Sequence, residues 1–157
     1  MSRPPSGRRS GGRATPGLQA RRLALLALFE GEFGVASAGR ALERLGTDRA
    51  SDPEIVAHAR RIVEGVHANL GAIDRRIAHE APEIPVHELG RIERTIMRSV
   101  LFEVLYSAAT PSGEAIRDAV ALARIYAGDA GRRLINGVLG SVSRSSGGAG
   151  WRRPTTG

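Results

Sequence analysis

Cysteine and lysine are both missing from this chain of 157 residues. The first absence excludes disulfide scaffolds, cysteine nucleophiles and thiolate metal sites. The second means that all 23 basic residues are arginine, set against 16 acidic ones for a formal net charge of +7. Phosphate attraction alone would accept either basic residue, so an arginine-only set also carries compositional bias. No run of 18 apolar residues occurs, which argues against a membrane span. The N-terminal arginines precede an apolar stretch with no small-residue cleavage pattern, which argues against a secretory signal. A cytoplasmic location is expected. The length suits one domain, or two small ones, with a real hydrophobic core.

What is present is unevenly placed. Residues 1–17 hold Arg3, Arg8, Arg9 and Arg13, four glycines, three prolines and no acid. Residues 143–157 hold Arg144, Arg152 and Arg153, four more glycines and again no acid. Between them, residues 18–142 carry 16 arginines and all 16 acids, so the middle is formally neutral. Neither terminal segment has the apolar area to offset the entropy of ordering its backbone, so both are expected to be disordered tails. A mobile arginine arm attracts phosphates in a salt-dependent way without reading sequence. Solubilising extensions shaped by base composition explain the same residues equally well.

The middle reads as helix throughout. Leu18–Glu32 has an apolar centre on every face, from Leu23 to Phe29, as in a helix buried between others. A shorter helix is expected over Ala36–Leu45, closed by Gly46. Ser51 with Glu54 resembles a capping box, and Asp52 followed by Pro53 is the competing start. From there Ile55, Ala59, Ile62, Val63, Val66, Leu70, Ile73 and Ile77 repeat at helical spacing, with Gly71 as a potential break. The prolines of 81–88 stop this pattern. Leu89, Ile92, Ile96 and Val100 then form a stripe flanked by Arg91, Glu93, Arg94 and Arg98. Thr110-Pro111 offers a cap and first-turn proline for the next helix. The last helix carries Leu134, Ile135, Val138, Leu139 and Val142, after a turn bracketed by Gly128 and Gly131. With no strand alternation, the fold class is all-α. The 81–88 segment should divide three or four helices from three more, the two bundles sharing one interface.

Little in this inventory suggests chemistry. His58 and His67 lie nine apart on one helix, so they point about 180° apart and cannot form a local metal pair. No zinc-protease, calcium-loop or phosphate-loop motif is present, and no metal, cofactor or catalytic residue is assigned. Glu80, Glu83 and Glu88 read as a solvated acidic patch. The arginines say more. Arg21 and Arg22 fall at the start of the first helix and Arg132 and Arg133 near the start of the last, where exposed N–H groups also favour phosphate. If the two starts adjoin, they form a basic platform for an RNA backbone; otherwise they are ordinary solvated helix-end arginines. Phe29 and Tyr126 are candidates for stacking on unpaired bases, or for the core. Asn136, polar within an apolar run, suits an RNA contact or a buried amide.

These pieces match a family pattern. ARRLALLALFE at 20–30 resembles the opening helix of the NusB family, with Phe29 at its aromatic position. ELGRIERTIMRSVLFEVLY at 88–106 is similar to the family's LGxxExxxLRxALYEL segment. EAIRDAVALARIYAGDAGRRLINGVLGSV at 114–142 resembles its closing block, and ARRIVEGV at 59–66 is a weaker match. The resemblance covers residues 18–142, and INGVL behind the EAIxxAVxLA helix is its most specific part.

The resemblance implies about seven helices in two small packed bundles. It also implies a non-enzymatic transcription antitermination factor. Such proteins bind the boxA element of nascent ribosomal RNA transcripts with a NusE-type ribosomal protein. The complex joins RNA polymerase and other Nus factors to suppress premature, chiefly Rho-dependent, termination. The RNA-binding residues would be Arg21, Arg22, Phe29, Arg132, Arg133 and Asn136, with Arg91, Glu93 and Arg94 facing the ribosomal protein. Some members also form homodimers that cover the RNA surface. Arg117, Ala130 and Gly131 depart from the family's usual Asn and its acidic or polar loop residues, and both tails are longer than usual. The competing reading from another class is a helical protein–protein adaptor with incidental basic tails.

Overall fold

The computed structural model describes residues 14–32, 34–108 and 110–145. Among these residues it contains seven α-helices and no strand. The helices are α1 (Pro16–Glu30), α2 (Val35–Asp48), α3 (Pro53–Ala68), α4 (Leu70–Glu80), α5 (Arg91–Tyr106), α6 (Ser112–Tyr126) and α7 (Gly128–Ser145), with a 3₁₀ turn at Val86–Glu88 before α5.

The helix ends follow local chemistry, and in several places this shifts the expected boundaries. α1 opens two residues earlier than expected, because Thr15 Oγ1 accepts the Leu18 N–H at 3.1 Å and Pro16 occupies the first turn. Residues 16–17 and 143–145 are helical and residues 14–15 lead into α1; residues 1–13 and 146–157 of the expected tails lie outside the described residues. Asp52, not Ser51, caps α3, accepting the Glu54 N–H at 2.9 Å. The break between α3 and α4 falls at Asn69, before Gly71, because the Asn69 amide donates to the Gly65 carbonyl at 2.8 Å and satisfies an end group of α3. Thr110 does not cap α6: its hydroxyl pairs with Ser107 at 3.1 Å, and Pro111 is the flanking residue. α7 begins at Gly128, so the expected 128–131 turn is helical and Arg132 and Arg133 lie in the helix's opening turns.

Two hydrophobic sub-cores result. The first joins α1, α2 and α3 through Leu23, Ala27, Leu28, Leu42, Ile62 and Val63. The second joins α4 to α7 through Ile73, Ile77, Met97, Leu101, Leu122 and Ile135. The packing divide therefore falls between α3 and α4, not at the proline segment. Ile73 and Ile77 are deeply buried among later helices, and that contact area outweighs the sequence proximity of α4 to α3.

Two features tie the sub-cores together. α1 serves both: Leu23 and Leu28 feed the first sub-core, while Leu25 reaches into the second. Phe102 of α5 packs against both. Its ring lies where a side chain at Gly65 would be, so glycine at this point of α3 is a requirement of close helix approach.

Candidate nucleic-acid interface

The neighbouring arginines at the start of α1 have different fates. Arg21 is buried, 5% exposed, and faces inward. Its Nε and Nη2 donate to Glu103 at 2.8 and 3.0 Å, and Nη1 donates to Asp118 at 2.7 Å and more weakly to Glu114 at 3.4 Å. His58 Nε2 lies 3.2 Å from the second oxygen of Glu103, so the cluster unites α1, α3, α5 and α6. Burial alone would lower the Arg21 pKa, but hydrogen bonds and charge from Glu103 and Asp118 outweigh it, and the guanidinium is held more firmly protonated than usual. Burial likewise works against the Glu103 carboxylate, yet the hydrogen bonds of His58 and Arg21 and the Arg21 charge bring its pKa below the ordinary value. The structure thus removes Arg21 from the expected RNA-facing set, because both faces of its fork are occupied by buried acids.

Arg22, one residue on and about 100° round the helix, is exposed. Its Nε donates to the Tyr126 hydroxyl at 2.9 Å, with the guanidinium carbon 6.0 Å from the ring centroid. Tyr126 ends α6 two residues before Gly128 opens α7, so the Arg22 side chain reaches towards the start of the last helix, whereas the first turn of α1 lies against the start of α6, with Gly17 facing Glu114 and Asp118. Arg132 and Arg133 follow on α7; Arg132 is held to Asp129 at 2.7 Å, and Arg133 is exposed. Asn136, one turn further, is also exposed, which removes the buried-amide reading.

Phe29 lies two turns beyond Arg22 on the same side of α1 and is partly buried, so it is not a core residue. The Arg91 guanidinium covers its ring with the centroid at 4.3 Å, and Arg91 Nη2 donates to the Phe29 carbonyl at 2.8 Å. Glu32, in the connection after α1, bridges Arg91 Nε at 2.9 Å and Arg94 Nη2 at 3.2 Å. Residues expected to serve RNA and residues expected to serve a protein partner therefore share one edge. Glu93 completes the junction: its carboxylate comes within 2.5 Å of the place a Cβ would occupy on Gly131. Glycine at that departure from the family pattern lets the start of α5 close against the start of α7. Arg117 is exposed and lies 3.5 Å from Asp118, at the rim of the buried cluster.

Several functional contacts are invisible in the sequence. The acids that claim Arg21 lie 82 and 97 positions away, and no spacing rule connects them. Arg98 is the third arginine of an α5 stripe and makes a two-pronged pair with Asp74 at 2.8 Å on each arm. Glu80 is not a solvated acid: its side chain is 5% exposed and meets Arg76 at 2.9 Å. Among the described residues, no group of three or more His, Asp or Glu is placed to hold a metal ion, and no helix is long and apolar enough to cross a membrane.

Two fused helical bundles carrying a cationic, aromatic-bearing edge define a helical binding protein. Comparison with known proteins makes the class specific. The NusB family model matches residues 18–144, so the chain belongs to the NusB family. Transcription antitermination protein NusB of Dehalococcoides mccartyi strain CBDB1 is 34% identical over 127 residues, covering 81% of this chain and 89% of the relative. The Herpetosiphon aurantiacus protein of the same name is 36% identical over 125 residues, covering 78% and 86%. The Heliobacterium modesticaldum relative is 32% identical and longer, so this chain spans 61% of it. Among solved structures, T. maritima NusB superposes with a TM-score of 0.74 at 26% identity, over 83% of this chain and 92% of that one. A chain from the crystal structure of antitermination factors NusB and NusE with dsRNA has the same fold, with a TM-score of 0.74 at 20% identity, over 85% and 99%.

Proposed function

We propose that the chain acts as a transcription antitermination factor, binding boxA-like RNA of nascent ribosomal RNA transcripts together with a NusE-type ribosomal protein. The observation that supports this reading is the contact of Phe29 with Arg91 and of Glu93 with Gly131 at the start of α7, which brings candidate RNA-facing and partner-facing residues close together, with Arg22, Arg132, Arg133 and Asn136 assigned to the same surface by the reading itself. Its curated relatives bear the antitermination name, and NusB and NusE meet RNA together in a complex that contains a chain of this fold.

The function is assembly. Arg22, Arg132 and Arg133 hold phosphates, which positions the strand without reading it. Phe29 offers a ring to an unstacked base and Asn136 an amide to a base edge. The α5 edge around Glu93 continues the surface for the protein partner. RNA and ribosomal protein then each complete the other's site, and the pair is handed to RNA polymerase and the other Nus factors.

The decisive experiment measures binding of the purified protein to a labelled boxA-like RNA and a scrambled control at near-physiological salt, with and without the NusE-type protein. A preference for the boxA-like strand that grows when the partner is added supports the reading. Equal weak binding that ignores the partner leaves a helical adaptor with incidental basic tails.

A further inference from the structure

The geometry points to a phosphate site on the Arg91–Arg94 pair, beside the ring of Phe29, that the protein's own Glu32 occupies in the free state. This inference rests on the RNA-binding reading above and adds a displaceable internal competitor to it. It also turns Arg91 and Arg94 from the protein partner towards the RNA, leaving Glu93 to the partner.

The Glu32 carboxylate bridges two guanidinium groups, with Oε2 on Arg91 Nε at 2.9 Å and Oε1 on Arg94 Nη2 at 3.2 Å. Two arginines gripping one pair of oxygens form an oxyanion site, and a phosphodiester offers the same two-oxygen grip. The pair is anchored from behind: Arg91 also donates to the Phe29 carbonyl at 2.8 Å, and Arg94 approaches the carbonyls of Val86 and His87 at 3.5 and 3.4 Å. The fork is thus held in place while its ligand sits in a short connection between helices, partly exposed to solvent.

Three observations favour a nucleotide over an acidic protein side chain as the incoming ligand. Arg91 lies on the face of Phe29, so a phosphate held by the anchored fork brings its nucleotide beside that aromatic ring. Base on ring and phosphate on arginine is the arrangement used for unpaired strands. The same residues border a groove of about 310 Å³ with an apolar floor of Leu28, Val66 and Leu70 and a rim of Arg91, Arg94 and Arg98, which suits a flat base attached to an anion. Finally, the site continues the edge that already carries Arg22 and Arg132. A carboxylate would use the fork and leave ring and groove empty.

The test is Glu32→Gln, which keeps shape and removes charge. It is measured beside Glu43→Gln, an exposed acid of α2, as a control for net charge. Single-stranded boxA-like RNA should bind Glu32→Gln about fivefold more tightly than the parent at near-physiological salt, the scale of one exposed ion pair. Glu43→Gln should change little, and adding Arg91→Gln to Glu32→Gln should abolish the gain. Unchanged or weaker RNA binding by Glu32→Gln overturns the site, as does a gain that survives loss of Arg91 or one seen only for the ribosomal protein. If the parent binds RNA and loses affinity on Arg132→Ala/Arg133→Ala while Glu32→Gln has no effect, the competitor fails and the wider reading stands. If neither parent nor Glu32→Gln binds RNA, both fail.

Discussion

Arg21 and Arg22 are chemically identical neighbours placed in opposite surroundings. One is sealed among Glu103, Asp118 and His58 from three other helices; the other lies in the open against Tyr126. The buried pair is expensive to desolvate, and removing one partner strands the others without water. The exposed contact is worth little to stability, yet its charge is available to a ligand. The difference shows that a run of arginine at a helix start divides by the 100° step between residues. Whichever side meets the bundle becomes a structural node, and the other becomes surface.

The comparison can be broken most forcefully from the inside. Arg21→Met should destabilise the fold by about 3–5 kcal/mol, because Glu103 and Asp118 would remain buried without their cation. Chemical denaturation measures this loss, and adding Glu103→Gln and Asp118→Asn should restore part of it. Little change in the Arg21→Met midpoint would mean that the cluster is not a structural node.

Acid should open the same node. The Glu103 pKa is depressed in the fold below its ordinary value of 4.5. Its stabilisation is therefore complete above the unfolded value and is lost as pH falls through the folded one. Denaturation midpoints from pH 7 down to pH 3 should fall more steeply for the parent than for Glu103→Gln. Arg21, His58, Asp118 and Glu114 are the charged and titratable groups around it, and all are retained in that variant. Parallel curves would remove Glu103 as the source.

On the outer face the effects move from stability to binding. Arg132→Ala/Arg133→Ala should weaken RNA binding by about tenfold at near-physiological salt and reduce its salt dependence. Thermal unfolding should stay nearly unchanged, and equal RNA affinity in variant and parent would take the start of α7 out of the interface. The smallest effect is expected for Arg22→Ala, a few-fold loss in RNA affinity with a stability change within about 0.5 kcal/mol. A large drop in melting temperature would show Arg22 to be as structural as its neighbour.

Helix number, order and class are legible because apolar residues recur at three and four over α3, α5 and α7, α1 is apolar all round, and turn chemistry punctuates them. The helix ends were less legible: Asp52 and Ser51 both had the chemistry of a cap, and only geometry chooses between them. The division of the cores was misplaced because proline marks where a helix stops, whereas Ile73 and Ile77 choose their packing partners by fit. At the interface, Arg22, Phe29, Arg132, Arg133 and Asn136 were named from residue type and helix-end position. Arg21 satisfies the same criteria, and nothing local in the sequence reveals that Glu103 and Asp118 will meet it. The glycine at 131 looked like a loss of a loop side chain; in the fold it is the space into which Glu93 fits.

The distance in sequence between Arg21 and its acids also has a meaning in time. Arg21 is synthesised before its partners, and Asp118 follows it 97 residues later. Until then the helix bearing Arg22 and Phe29 has no finished seat, because contacts of such long separation form only after much of the chain is available. A chain ending before α6 would keep the Arg21 pair with Glu103 but lack the Asp118 and Glu114 carboxylates that complete the anchor. The closure of that anchor makes the orientation of α1 depend on the presence of α6, so the positions of Arg22 and Phe29 are set by contacts made far along the chain.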